Sequence, residues 1–93
     1  MKAGEFLKKL SVNPFMKYTG VYTKVEGRLV PFTTAKPDIE NNLVFFRQNK
    51  KPPLAMKNLY TILLLHENKP LYFWNGGKVK VYSYDVVDGK IVF

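Results

Sequence analysis

The sequence predicts an α+β protein in which two helices pack on a mostly antiparallel sheet of five to six strands, in the order α-β-β-β-α-β-β-β. Helical periodicity of apolar residues is confined to residues 2–11 and 54–68. Between them lie β-branched and aromatic runs separated by Gly-containing turn signals, of which Asn75-Gly76 and Asp88-Gly89 are the strongest. Ninety-three residues provide one core, so residues 1–93 are expected to form a single domain.

The N-terminal half begins with an amphipathic helix at residues 2–11, whose apolar stripe is Ala3, Phe6, Leu7 and Leu10. Residues 15–25 and 29–34 then predict a hairpin around Glu26-Gly27. Because proline cannot donate a ladder hydrogen bond, Pro31 predicts that the second strand lies at an edge or is bulged there. Polar residues 35–42 predict a loop. The continuous apolar run at residues 43–47 predicts a central strand covered on both faces.

Residues 54–68 are expected to be the helix around which the fold is organised. This segment is apolar on most of its circumference, and it lies between Pro53 and Asn68, which suit a helix start and a helix end. Such a helix must be covered by other parts of the protein. Its leucines, Leu59 with Leu63 and Leu64 with Leu65, need more cover than one face of a small sheet supplies, and any that helix 2–11 leaves uncovered indicate a homodimer.

The C-terminal third predicts a three-stranded meander formed by residues 71–74, 78–86 and 90–93. In addition, residues 1–14 align with residues 56–70 with one gap, which pairs Leu10 with Leu65, Asn13 with Asn68 and Pro14 with Pro70. The similarity is compatible with two helix-plus-hairpin halves related by a pseudo-twofold axis. It is also compatible with a chance similarity between two helix–Asn–Pro–strand units.

The opening segment KAGEFLKKL and the closing segment VDGKIV resemble small α+β proteins encoded by phages and plasmids, whose first helix follows the pattern V-G-E-L-x-x-x-L. Ala3 and Phe6 depart from that pattern. The resemblance implies an origin in a mobile element or virus, and it implies no active site, because those proteins mostly have no assigned activity.

The charge is the outlying feature of the composition, since fifteen Lys and Arg residues face seven Asp and Glu residues for a net charge of +8. Basic proteins of this kind bind polyanions. The absence of cysteine excludes disulfides, Cys-based metal sites and thiol catalysis. No apolar run is long enough to span a membrane and the first ten residues lack the features of a secretory signal, so a cytoplasmic location is expected.

Catalytic and metal-binding chemistry find little support among the side chains. His66 is the only histidine and is expected to interact with the carbonyls at a helix end. Asp38, Glu67 and Lys69 are residue types that the active site of a Mg²⁺-dependent nuclease needs. Asp38, however, lies in a polar loop and Glu67 at a helix end, where solvated carboxylates are common. The sequence therefore predicts a protein that is not an enzyme and has no cofactor and no metal.

The remaining candidate is an interface for nucleic acid, single-stranded or RNA, in which lysines neutralise phosphates and tyrosines stack on bases. Strand alternation at residues 78–84 would place lysines and tyrosines together on one face. The predicted site consists of Lys78, Lys80, Tyr82, Tyr84, Tyr18, Tyr22, Lys24, Arg47, Lys50 and Lys51. The alternative is a protein–protein module, either an inhibitor of a host protein or a homodimer, because lysine and tyrosine also occur on ordinary solvated sheet faces.

Overall fold

Two helices and eight strands make up the part of the chain that the computed structural model describes, residues 1–13 and 15–93. The helices are α1 (Ala3–Ser11) and α2 (Met56–Leu65). The strands are β1 (Gly20–Val25), β2 (Arg28–Pro31), β3 (Thr34–Pro37), β4 (Leu43–Phe46), β5 (Leu71–Trp74), β6 (Lys78–Lys80), β7 (Asp85–Val87) and β8 (Lys90–Val92). The α+β class is confirmed, whereas the number of strands is larger than predicted.

The eight strands form two four-stranded sheets, a first sheet of order β2-β1-β8-β7 and a second sheet of order β3-β4-β5-β6. The central pairs β1 with β8 and β4 with β5 are parallel, and the outer pairs are antiparallel. The prediction of a single sheet is therefore wrong, and the antiparallel character is confirmed only in part, since four strand pairs are antiparallel and two are parallel. The parallel pairs join residues far apart in sequence, such as Gly20 with Lys90, so no local pattern reports them.

The two halves of the chain repeat the same arrangement, because α1 with β1–β4 and α2 with β5–β8 form the same sequence of pairings. Equivalent hydrogen bonds confirm the match. The Met1 ammonium donates to the Val81 carbonyl over 2.9 Å, and the Leu54 N–H donates to the Phe32 carbonyl over 2.9 Å. The halves are thus related by a pseudo-twofold axis in their strand pairing.

The sequence alignment of the repeat is shifted relative to the structure. Leu10 is buried and corresponds in burial to Leu63, whereas Leu65, with which the alignment pairs it, is 71% exposed. Pro14, which the alignment pairs with Pro70, lies outside the described residues.

The core lies between the sheets and the helices. Four rings pack there with centroid distances from 5.1 to 6.2 Å, namely those of Phe32, Phe45, Phe73 and Phe93. Phe6 from α1 contacts Phe93 at 5.5 Å, and Leu59 and Leu63 are the buried residues of α2. The predicted stripe of α1 is confirmed, since Ala3, Phe6 and Leu10 are buried and Leu7 is half-buried.

The two helices meet end to end as well as side by side. The N–H groups of Ala3 and Gly4 donate to the carbonyls of Lys69 and Glu67, both over 2.9 Å. Amides that would lack partners at the start of α1 are thereby satisfied by carbonyls that follow α2. A Cβ on Gly4 would lie 3.1 Å from the Cβ of Glu67 and 3.2 Å from its carbonyl oxygen, so glycine permits this approach.

Several strand predictions hold and others require correction. The β1–β2, β5–β6 and β7–β8 hairpins are confirmed, with the glycines of their turns, Gly27, Gly76 and Gly89, in the positive-φ region, and β2 lies at an edge as Pro31 predicts. The prediction that residues 35–42 form only a loop is wrong, because β3 extends to Pro37. The predicted strand 78–86 is divided into β6 and β7, which lie in different sheets, so the predicted meander is also wrong.

The organising helix begins at Met56, two residues later than expected, and it is only partly covered. Leu64 is 62% exposed and Leu65 is 71% exposed. Across the described residues, no helix has the length and apolar character needed to cross a membrane.

Candidate nucleic-acid interface

The outer face of the second sheet carries aromatic and basic side chains together. In β4 and β5, Leu43, Phe45 and Leu71 are fully buried in the core. Side chains alternate along a strand, so their neighbours point to the opposite face of the sheet. We call this surface the aromatic face, and its members are Thr34, Lys36, Val44, Phe46, Tyr72, Trp74, Lys78 and Lys80.

The strand register arranges the aromatic face in two rows that cross all four strands. The first row runs through the Cα partners Lys36, Val44, Tyr72 and Lys80. The second row consists of the Cα partners Thr34 and Phe46 in β3 and β4, and Trp74 and Lys78 in β5 and β6. The β4–β5 register ends with Phe45 opposite Phe73, and its extension by one residue places Phe46 beside Trp74. Rings therefore lie at the centre of the face, and the lysines lie on the two edge strands.

Trp74 is the most accessible ring in the second row, with 55% of the residue exposed. It borders a shallow hollow of about 280 Å³ that is also lined by Val44, Phe46 and Arg47. Arg47 also lines two neighbouring hollows, one together with Lys50 and the other together with Arg28 and Glu26. An exposed indole thus lies beside Arg47, whereas Lys50 and Arg28 line separate hollows.

Lys78 has acidic partners on the same face. Its ammonium donates to a carboxylate oxygen of Asp38 over 2.7 Å and to the carboxylate of Glu40. The ammonium also lies 5.8 Å from the ring centroid of Tyr72. The segment that follows β3 therefore folds toward Tyr72, and its carboxylates neutralise Lys78.

The acidic segment has a defined conformation. Asp38 Oδ1 accepts hydrogen bonds from the backbone N–H of Glu40 over 3.0 Å and of Asn42 over 2.9 Å. The hydrogen bond from Lys78, followed by that from the Asn42 amide, lowers the pKa of Asp38 to about 2. The same carboxylates raise the pKa of Lys78 above its usual value. Both partners are therefore charged near neutral pH.

Lys80 and Tyr82 form a second basic–aromatic pair at the edge of the sheet. The Lys80 ammonium lies 5.5 Å from the centroid of the Tyr82 ring, and Tyr82 is 76% exposed. Lys80 has no carboxylate partner among the described residues, in contrast to Lys78. Lys80 therefore keeps its positive charge available at this edge.

The structure brings only part of the predicted site together. Tyr84 is turned inward, where its ring packs edge-on against Phe6 at 5.1 Å, and burial followed by the nearby Tyr18 raises its pKa. Tyr18 is half-buried against the core. The placement of Tyr84 on an exposed strand face is wrong, because β6 ends at Lys80 and the chain then crosses to the first sheet.

Other predicted residues lie elsewhere on the surface. Tyr22 and Lys24 belong to β1 in the first sheet, where the Lys90 ammonium lies 5.7 Å from the Tyr22 ring. Lys50 and Lys51 are exposed in the connector before α2, and Lys50 shares a hollow with Arg47. Arg47, Lys50, Lys78, Lys80 and Tyr82 are thus the predicted residues at or beside the aromatic face.

Sequence reasoning missed Phe46, Tyr72, Trp74 and Lys36. The first three belong to apolar runs that were expected to be covered on both faces. The core packs on one face of the second sheet, so on the opposite face Phe46 and Tyr72 are half-buried and Trp74 is exposed, whereas Val44 on that face is buried. The available signal was the cationic residues near the runs, Arg47 directly after residues 43–46 and Lys78 shortly after residues 71–74.

No protein-family model matches the chain, and no curated protein and no solved structure matches it significantly.

Proposed function

We propose that this protein binds single-stranded nucleic acid on the aromatic face, without catalysis. Trp74 and Phe46 would stack on bases, and Lys36, Lys80 and Arg47 would neutralise phosphates. The observation that carries the proposal is the pair of neighbouring rings on a solvent-facing sheet surface, flanked by cations, in a chain with a net charge of +8. Sheets that bind RNA or single-stranded DNA combine these parts.

The proposed ligand is single-stranded because a flat ring on a sheet reaches the face of a base only when that base is unstacked. Little sequence preference is expected. Thirteen of the fifteen cationic residues are lysine, which acts as a point charge, whereas reading of base edges relies on the forked guanidinium of arginine.

Trp74 is the only tryptophan and so provides a direct test. An oligonucleotide of about 12 nucleotides, as DNA and as RNA, would be titrated at about 50 mM salt while tryptophan emission is recorded. Stacking is expected to quench the emission, and the matching duplex should quench it less. Absence of both quenching and binding at low salt would reject the proposal.

The salt dependence tests the assignment of the cations. For single strands, log K falls with log[salt] with a slope of about −0.7 per neutralised phosphate, so three cations predict a slope of about −2. Lys80→Ala should reduce the slope by about 0.7. Lys57→Ala removes an exposed lysine from α2 and serves as the control, with a slope equal to that of the wild type.

A protein partner is the second candidate, and exposed Leu64 and Leu65 on α2 are the observation that favours it. The partner would be a second copy, a host protein or a viral protein. Sedimentation velocity over a range of concentrations tests self-association. A dimer of the wild type that Leu64→Ser/Leu65→Ser abolishes would support a homodimer, and a monomer at all concentrations would reject it.

A further inference from the structure

Lys78 lies on the edge strand β6 in register with Trp74, yet its ammonium is already bonded to two carboxylates. We propose that Asp38 and Glu40 withhold Lys78 from phosphate binding and keep bases from stacking on Tyr72, so that base stacking on the aromatic face is limited to Trp74 and Phe46. This inference rests on the proposed function, and it assigns Asp38 and Glu40 as residues that determine the extent of the site.

The first support is geometric. The Lys78 ammonium lies 2.7 Å from Asp38 Oδ2, also contacts Glu40, and lies 5.8 Å from the Tyr72 ring centroid. A base that stacked on Tyr72 would have to displace this ammonium together with its carboxylates. Tyr72 is half-buried, whereas Trp74 in the next row is 55% exposed.

The second support is that the acidic segment is held in place independently of Lys78. Asp38 accepts hydrogen bonds from the amides of Glu40 and Asn42, and the Lys69 ammonium donates to the side chain of Asn41. The carboxylates are therefore fixed where they meet Lys78. Displacing them would cost hydrogen bonds as well as an ion pair.

The third support is the local charge. Lys78 with Asp38 and Glu40 carries one net negative charge, since both carboxylates accept from a single ammonium. A phosphate that approached Lys78 would meet this negative charge. By contrast, no carboxylate partner of Lys36, Arg47 or Lys80 occurs in the described part of the chain.

The test measures the salt slope and the affinity for a single-stranded oligonucleotide in a small set of variants. Asp38→Asn/Glu40→Gln removes both charges, and the Asn side chain retains an oxygen that can accept the amides of Glu40 and Asn42. Glu67→Gln/Asp85→Asn is the matched control for an unspecific gain of two charges, because both residues are exposed and neither has an ion-pair partner among the described residues.

Asp38→Asn/Glu40→Gln should increase the magnitude of the salt slope by about 0.7, which corresponds to one additional phosphate. At about 50 mM salt, one such contact raises the affinity by roughly 5- to 10-fold. Lys78→Ala in the wild type should leave the slope unchanged. The same substitution in the Asp38→Asn/Glu40→Gln variant should return the slope to that of the wild type.

The inference would be overturned if Lys78→Ala alone reduced the slope as much as Lys80→Ala does, because Lys78 would then contact phosphate despite its partners. A gain in Asp38→Asn/Glu40→Gln no larger than that in Glu67→Gln/Asp85→Asn would overturn it as well. If the wild-type protein failed to bind at all, the proposed function would fall and the inference with it. The first two results leave the proposed function intact.

Discussion

The outer faces of the two sheets share a backbone pattern but differ in charge. Matching positions across the second sheet are occupied by Lys36, Val44, Tyr72 and Lys80. The corresponding positions across the first sheet are occupied by Asp85, Val92, Tyr22 and Pro31. The central Val–Tyr pair is the same in both sheets, and a lysine ammonium lies 5.7 Å from Tyr22 and 5.8 Å from Tyr72.

The two outer faces differ in the residues on their edge strands and in the presence of one tryptophan ring. Lys36 and Lys80 flank the second sheet where Asp85 and Pro31 flank the first, and Trp74 occupies the position that Lys24 occupies in β1. One arrangement of strands therefore presents two different surfaces. The fold supplies the geometry, and a few side chains determine which face can bind a polyanion.

The largest expected effect tests whether matching core positions are equivalent. Phe45 and Phe93 occupy corresponding positions in β4 and directly after β8, but Phe45 is fully buried and Phe93 is half-buried. Phe45→Ala is expected to lower the free energy of unfolding by about 3–5 kcal/mol, and Phe93→Ala by less. Urea denaturation of both variants measures the difference. An equal or larger loss for Phe93→Ala would contradict it.

The next effect concerns the outer faces. Trp74→Ala should weaken binding of a single-stranded oligonucleotide by about 1–3 kcal/mol, because one stacked base loses its ring. Lys24→Ala changes the matching position of the first sheet and should have little effect. Fluorescence anisotropy of a labelled oligonucleotide measures both affinities. Equal losses of affinity in the two variants would show that the nucleic acid does not bind the second sheet in preference to the first.

A smaller effect tests the contact between the two halves at the helix ends. Gly4→Ala should lower the free energy of unfolding by about 1 kcal/mol, because overpacking against Glu67 outweighs the better helix propensity of alanine. Gly77→Ala is the control, since nothing lies within 4 Å of its added Cβ. Thermal unfolding followed by circular dichroism compares them. A stabilised Gly4→Ala variant would show that Glu67 moves away without cost.

The smallest effect is a pH dependence confined to the acidic segment of the aromatic face. The pKa of Asp38 is lowered from 3.8 to about 2, so the stabilisation from its charged form is complete above pH 3.8 and is lost as the pH falls toward 2. NMR titration of the Asp38 carboxyl carbon should give a midpoint near 2, and Lys78→Ala should raise it toward 3.8. An unchanged midpoint in the Lys78→Ala variant would mean that Lys78 is not the main cause of the lowered pKa of Asp38.

Local chemistry made about half of the fold predictable. The stripe of Ala3, Phe6 and Leu10 depends on helical spacing, and the turns at Glu26-Gly27 and Asp88-Gly89 depend on backbone conformations that these residues favour. Both are properties of short segments, which is why the two helices and the three hairpins β1–β2, β5–β6 and β7–β8 were found where they were predicted.

Features that depend on distant parts of the chain were not predictable in this way. The division between β6 and β7 follows from Val81 and Tyr84 packing into the core, which requires the positions of both sheets and of α1. The exposure of Trp74 follows from the core packing on one face of the second sheet. For the candidate site, the basic–aromatic character was predicted, whereas the strands that carry its rings were not.

The interleaved strand pairing has a consequence for folding and assembly. Each sheet takes two strands from each half of the chain, so neither half can complete a sheet alone, and pairs such as Gly20 with Lys90 must close a long loop before they form. Slow, cooperative folding is expected. The same exchange could occur between two chains if residues 48–53 remained extended, and it would give a domain-swapped dimer in which each sheet combines halves of different molecules.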